Sequence, residues 1–125
     1  REFASFIINS MENDVPYRVH GNVRNTGLIP NLPPNACVEV HCLVDRDGIH
    51  PCYVGNLPEQ CAAINRTNIN VQLLTIQAAK SRRKEDIYMA AMMDPHTAAE
   101  LSMDDIRAMC DEMLEAHGSW MPEYR

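Results

Sequence analysis

No apolar run in this sequence approaches the roughly 20 residues needed to cross a bilayer, and nothing in it resembles a signal peptide, so no membrane partner is expected. A dense Lys or Arg stripe is also missing. Seventeen acidic side chains outweigh 11 basic ones for a formal charge of −6, which repels phosphate backbones and anionic lipids on average. The basic run Lys80 to Lys84 is closed at once by Glu85 and Asp86. It reads as a solvated helix junction, and no nucleic-acid partner is expected. Cysteine is too scarce and too odd in number for a full disulfide framework: Cys37, Cys42, Cys52, Cys61 and Cys110 sit among eight methionines, which points to a reducing, cytoplasmic compartment. P-loop, dinucleotide fingerprint, serine elbow and His-Glu zinc helix are all absent. No catalytic residue is therefore assigned within these 125 residues.

What is present is the composition of a folding chain, 46% apolar and 22% charged. Phe3, Phe6, Ile7 and Ile8 give one apolar side to a short helix that ends before Val15 and Pro16, and Glu2 to Ser10 reads like the middle of a packed helix. This, with Arg1 in place of an initiator methionine, suggests a chain cut away at its start. Tyr17, Val19 and Val23 suggest a strand, and Gly21 to Pro34 reads as a shaped loop with short extended pieces. Cys37–Val44 and Ile49–Val54 are two extended runs around Asp45-Arg46-Asp47-Gly48, the strongest hairpin signal in the sequence. A long helix is predicted from Pro58 to about Lys80, and a third over Lys84–Met93. Asp94-Pro95 can cap a further short turn, and Ser102 with Asp105 resembles a capping box. Ile106, Met109, Cys110, Met113 and Leu114 then form the clearest amphipathic pattern, closed by Gly118. The fold class is α+β: a predominantly helical chain with a small β-hairpin or sheet. Such a sheet is marginal without a cover, which points to part of a larger α/β assembly.

Three groups of residues qualify as candidate sites. His41, Cys42, His50 and Cys52 tempt a metal reading, but strand parity places Cys42 opposite the other three, so four ligands do not converge; three could, as in an open zinc site, but the spacing matches no standard finger, packing is the favoured reading and no metal ligand is assigned. His20, Asn22, Asn25, Thr26 and Gly27 form the densest polar group, on a glycine-containing segment. Asparagine amides donate and accept, as a sugar-hydroxyl network requires, yet Asn and Gly are also ordinary turn residues. Asn65, Arg66, Thr67, Asn68 and Asn70 put a polar stretch into the long helix, of residues that are weak or neutral helix formers apart from the arginine. They could line a cleft or face a domain or subunit interface, and the interface is the favoured reading. The carboxylates are better explained by capping and helix charge placement than by acid catalysis.

The run Gly21-Asn22-Val23-Arg24-Asn25-Thr26-Gly27-Leu28-Ile29-Pro30-Asn31-Leu32-Pro33, with Val38-Glu39-Val40, Leu43-Val44-Asp45, Asp47-Gly48-Ile49, Ala62 to Asn70 and Ala90 to Ala99, resembles the carboxy-terminal portion of the NAD- and manganese-dependent glycoside hydrolases of family 4, in the α-galactosidase branch. The likeness runs over nearly the whole chain. It implies a two-domain enzyme similar in plan to lactate and malate dehydrogenases, in which residues 1–125 are the carboxy-terminal part of the substrate domain and the amino-terminal NAD-binding domain is the missing partner. In that family NAD oxidises the sugar C3 hydroxyl, the C2 proton becomes acidic, the aglycone leaves by elimination, and the metal polarises the C2 and C3 oxygens. NAD and Mn2+ are thus expected of the full enzyme and neither is fully held here. The resemblance implies a substrate or architectural role for Asn22, Asn25 and Gly27, a weaker sugar contact for His20, and an interface or cleft helix at Asn65, Arg66, Asn68 and Asn70. His41 stands where the family usually has proline, and Cys52 departs from it too. The expected partners are a small-molecule glycoside and further copies of the same subunit. Alternatives are a relative acting on an α-glucuronide, α-glucoside or 6-phosphoglycoside, or a non-enzymatic helical interaction module.

Overall fold

The structure, a computed structural model, describes residues 3–125, so Arg1 and Glu2 lie outside the described residues. The chain divides into two compact units, residues 1–58 and 59–125.

In the first unit, helix α1 (Phe3–Asn13) precedes strands β1 (Tyr17–Arg24), β2 (Cys37–Asp45) and β3 (Gly48–Pro51), which form an antiparallel sheet in the order β1-β2-β3. The alternation along β2 decides which face is inside. Val38, Val40, Cys42 and Val44 are buried while Cys37, Glu39, His41 and Leu43 are exposed, the period of two that a half-covered sheet imposes. Helix α1 packs against β1 and β2. Phe6 stacks on Tyr17 at 4.9 Å between ring centroids, and buried Ser10 satisfies its hydroxyl by donating to Phe6 O at 2.9 Å.

Strand β1 extends further than the sequence suggests. Gly21 to Arg24, expected to begin a loop, are paired with Cys37 to Val40. The reason lies at Gly21, where a Cβ would stand 3.0 Å from the Cys42 sulfur. A glycine that reads as a turn signal here makes room for a neighbouring buried side chain. The hairpin has its two-residue turn at Arg46-Asp47, with Asp45 paired to Gly48 and Gly48 at φ 120°. The strand expected over Ile49–Val54 stops at Pro51. Cys52 and Val54 still donate backbone N–H bonds, to His41 O (2.8 Å) and Leu28 O (2.9 Å).

The second unit is helical: α2 (Glu59–Ser81), α3 (Lys84–Met92), α4 (Pro95–Glu100), α5 (Met103–His117) and a final 3-10 turn, Gly118–Trp120. Asp94 caps α4, accepting from His96 N and Thr97 N, and Pro95 opens the helix. Ser102 caps α5 through Asp105 N. Ala78, Ala90, Ile106 and Cys110 form the buried seam of α2, α3 and α5. Past α5 the chain returns to the α2–α3 junction, where Lys84 N–H donates to Arg125 O and Arg125 N–H donates to Arg82 O, each at 2.9 Å. The Arg82 guanidinium lies 5.5 Å from the Tyr124 ring centroid.

Candidate functional site

The polar group singled out around His20 separates into two environments. His20 and Asn22 lie on β1, on the outer face of the sheet, and both are exposed. Asn25 begins the following loop and is only 1% exposed. Its amide nitrogen donates to the carbonyls of Ile29 (2.9 Å), Leu32 (3.1 Å) and Pro33 (3.1 Å), and its side-chain oxygen accepts from Ile29 N–H at 2.9 Å. Its backbone N–H donates to Ala36 O at 2.9 Å. One side chain therefore satisfies the turning backbone of the whole segment, a form of local closure that asparagine offers and an apolar residue does not. Gly27, at φ 88°, stands at the exposed tip with nothing near its missing Cβ; its left-handed backbone is the reason for glycine there. Asn31 ties the loop to Leu57 with a reciprocal pair, donating to Leu57 O at 2.8 Å and accepting from Leu57 N–H at 3.0 Å.

Strand pairing adds two residues that the sequence reading did not include with His20 and Asn22. His41 is directly opposite His20, and Glu39 is directly opposite Asn22. The two imidazoles touch, with centroids 4.3 Å apart and planes tilted by 41°. The alternation of β2 was readable from sequence, but the register of β1 on β2 was not, because the 12-residue loop 25–36 sets it through Asn25. His50, which strand parity places on one face with His41, bonds Asp45 at 2.9 Å. That bond holds the Asp45 carboxyl below its ordinary range, despite a smaller opposing effect of burial. Among the described residues no three His, Cys, Asp or Glu side chains are placed to hold a metal ion.

The polar belt of α2 is an exposed face. Asn65 donates to Cys61 O at 2.8 Å, Thr67 to Ile64 O at 2.7 Å and Asn68 to Ile64 O at 3.5 Å. These bonds back onto the helix's own carbonyls explain how weak helix formers are accommodated. Arg66 and Ile64 are exposed, Ile64 by 68%, whereas Ile69 is buried. In the same unit, Tyr88 donates its hydroxyl to Asp111 at 2.5 Å. That bond, reinforced by burial, pushes its pKa up to about 12 and keeps it a neutral donor. Tyr88 lines a cavity of 490 Å³ with Lys84, Asp111, Glu115 and Tyr124. A second, mostly apolar groove of 410 Å³ includes Val71, Ile87, Met109, Met113 and Tyr124.

Comparison with known proteins follows the same sheet and helices. The chain is 60% identical over all 125 residues to the α-galactosidase of Bacillus subtilis (strain 168), and spans 29% of that protein's length. Its fold matches a 6-phospho-α-glucosidase from gut microorganisms, solved with NAD and glucose-6-phosphate, at TM-score 0.85 and 28% identity, covering 98% of this chain and 27% of that one. It also matches the 6-phospho-β-glucosidase of Thermotoga maritima solved with manganese, NAD+ and glucose-6-phosphate, at TM-score 0.81 and 25% identity, covering 96% and 30%. With residues 1–97 matching the family 4 glycosyl hydrolase C-terminal domain, the chain belongs to that glycosidase family.

Proposed function

We propose that these residues serve as the carboxy-terminal part of the substrate domain of an α-galactosidase. In this reading the reaction is the NAD-dependent oxidation and elimination implied by the family, assisted by a divalent metal such as Mn2+. The observation that carries it is the 60% identity to an α-galactosidase along the entire chain. The 6-phosphoglycosidases share the fold at far lower identity, which ranks a phosphorylated substrate second.

The chain's own part in such an enzyme is recognition and shape. His20 and Asn22 face a sugar from the outer side of β1, Asn25 shapes the loop that presents Gly27, and no proton transfer is assigned to any of them. The metal does not fit these residues, since the described side chains form no cage for it, and no step through it is derived for them. The polar belt of α2, with exposed Asn65, Arg66 and Asn68 and half-buried Asn70, is assigned to a contact with another subunit of a homo-oligomer. Ile64 adds apolar area to the same helix. No helix among the described residues is long and apolar enough to cross a membrane, and the free cysteines support a reducing cytoplasmic setting.

The test is an assay of the complete polypeptide with NAD, Mn2+ and reductant against nitrophenyl α-galactoside, the matching α-glucoside and α-glucuronide, and their 6-phosphates. Preferential turnover of the α-galactoside, abolished by removing NAD, is the expected result. Preference for a 6-phosphate would replace this reading with the phosphoglycosidase one.

A further inference from the structure

Resting on the glycosidase reading above, we infer that the outer face of β1 and β2 is this chain's recognition surface for an unphosphorylated hexose, with Glu39 and His41 as specificity-determining residues beside His20 and Asn22. Four exposed side chains meet there as two cross-strand pairs, His20–His41 and Asn22–Glu39. Directly opposed residues on one face have Cβ atoms about 5 Å apart and the two pairs lie roughly 7 Å apart along the strands, so one hexose with its hydroxyls can reach both.

The pairs differ in chemistry in the way a sugar requires. The paired imidazoles, tilted by 41° to each other, present ring surface against which the C–H face of a hexose can rest, while the neighbouring amide and carboxylate offer a donor and several acceptors to its hydroxyls. Among the described residues, the Asn22 and Glu39 side chains make no hydrogen bond or ion pair, and the histidine rings meet only each other. Polar groups nearby are otherwise committed: Asn25 to the loop, Asn31 to Leu57, and His50 to Asp45.

Charge selects among sugars. Glu39 lies beside the position a hexose would take, and a phosphoryl group of about −1.5 to −2 charge would be repelled by it. Arg24 follows Asn22 on the same face but directs its Nε–H to Pro34 O at 3.4 Å, and Arg18 stands beyond His20 at the other end of the strand.

The experiment uses the complete polypeptide with NAD and Mn2+, comparing wild type with Glu39→Gln, His41→Ala and the milder His41→Gln. KM is measured for nitrophenyl α-galactoside and for its 6-phosphate, and binding of methyl α-galactoside is measured separately by calorimetry. Glu39→Gln should raise the galactoside KM about tenfold, improve the 6-phosphate relative to it, and leave the melting temperature unchanged. His41→Ala should weaken galactoside binding, with partial recovery in His41→Gln. Unchanged KM and binding in all three variants, or lower melting temperatures without a binding change, would overturn the inference. Should the wild type turn over no glycoside, the enzyme reading fails; loss of methyl α-galactoside binding in Glu39→Gln would still support the surface, and absence of wild-type binding would end it.

Discussion

The loop 25–36 and the outer face of β1–β2 are adjacent in the chain and both carry asparagine, yet they use it in opposite ways. In the loop, Asn25 is buried and its amide is saturated by backbone carbonyls. On the strand, Asn22 is exposed and faces Glu39 without a hydrogen bond between their side chains. The same residue type three positions apart thus does two jobs, because strand parity turns one amide outward and the end of the strand folds the other into the turn. The difference teaches that an asparagine-rich motif is no single site. Part of it builds the platform's edge, and part is left to meet a ligand.

The sharpest way to break that contrast is Asn25→Ala. It strips a buried N–H and three carbonyls of their partner, and unsatisfied buried groups are costly. A loss on the order of 3 kcal/mol is expected, read as a lower denaturant midpoint. A loss below about 0.5 kcal/mol would make the loop as independent of its asparagine as the sheet face is.

Gly21→Ala probes the covered side of the same strand. The new methyl would press on the sulfur of Cys42, which is fully buried, so a destabilisation of about 1 kcal/mol is expected from overpacking. A stabilised variant would show that the sheet's inner face has unused room.

A smaller effect belongs to the hairpin. Asp45 has its folded pKa depressed below 3.8, chiefly by the bond to His50. Its stabilising contribution is therefore present above the unfolded pKa and lost as pH falls through the folded value. Melting curves taken downward from pH 5 should show wild type converging on Asp45→Asn as that carboxylate protonates. Parallel curves throughout would remove Asp45 from the account.

Much of the fold could be read from residues alone. Asp-Gly after an alternating run announced the hairpin, Asp94-Pro95 and Ser102 announced two helix starts, and the spacing from Ile106 to Leu114 announced α5, although only Ile106 and Cys110 of that stripe are buried. The site was less legible. Gly21 carried a turn signal that its contact with Cys42 overrides, which hid the last part of β1 and with it the outward direction of Asn22. Glu39 and His41 could be assigned to one face of β2 by alternation, but their partners on β1 depend on a register fixed across loop 25–36. The return of the tail to Arg82 and Lys84 rests on backbone hydrogen bonds and leaves no pattern in side-chain type.

The most direct measurement is the KM for α-galactoside of the complete polypeptide carrying Asn22→Ala, taken alongside its melting temperature. The account predicts a KM raised severalfold with stability within about 0.5 kcal/mol of wild type. A protein that melts earlier while binding its substrate as before would contradict it, placing Asn22 with Asn25 as a structural residue.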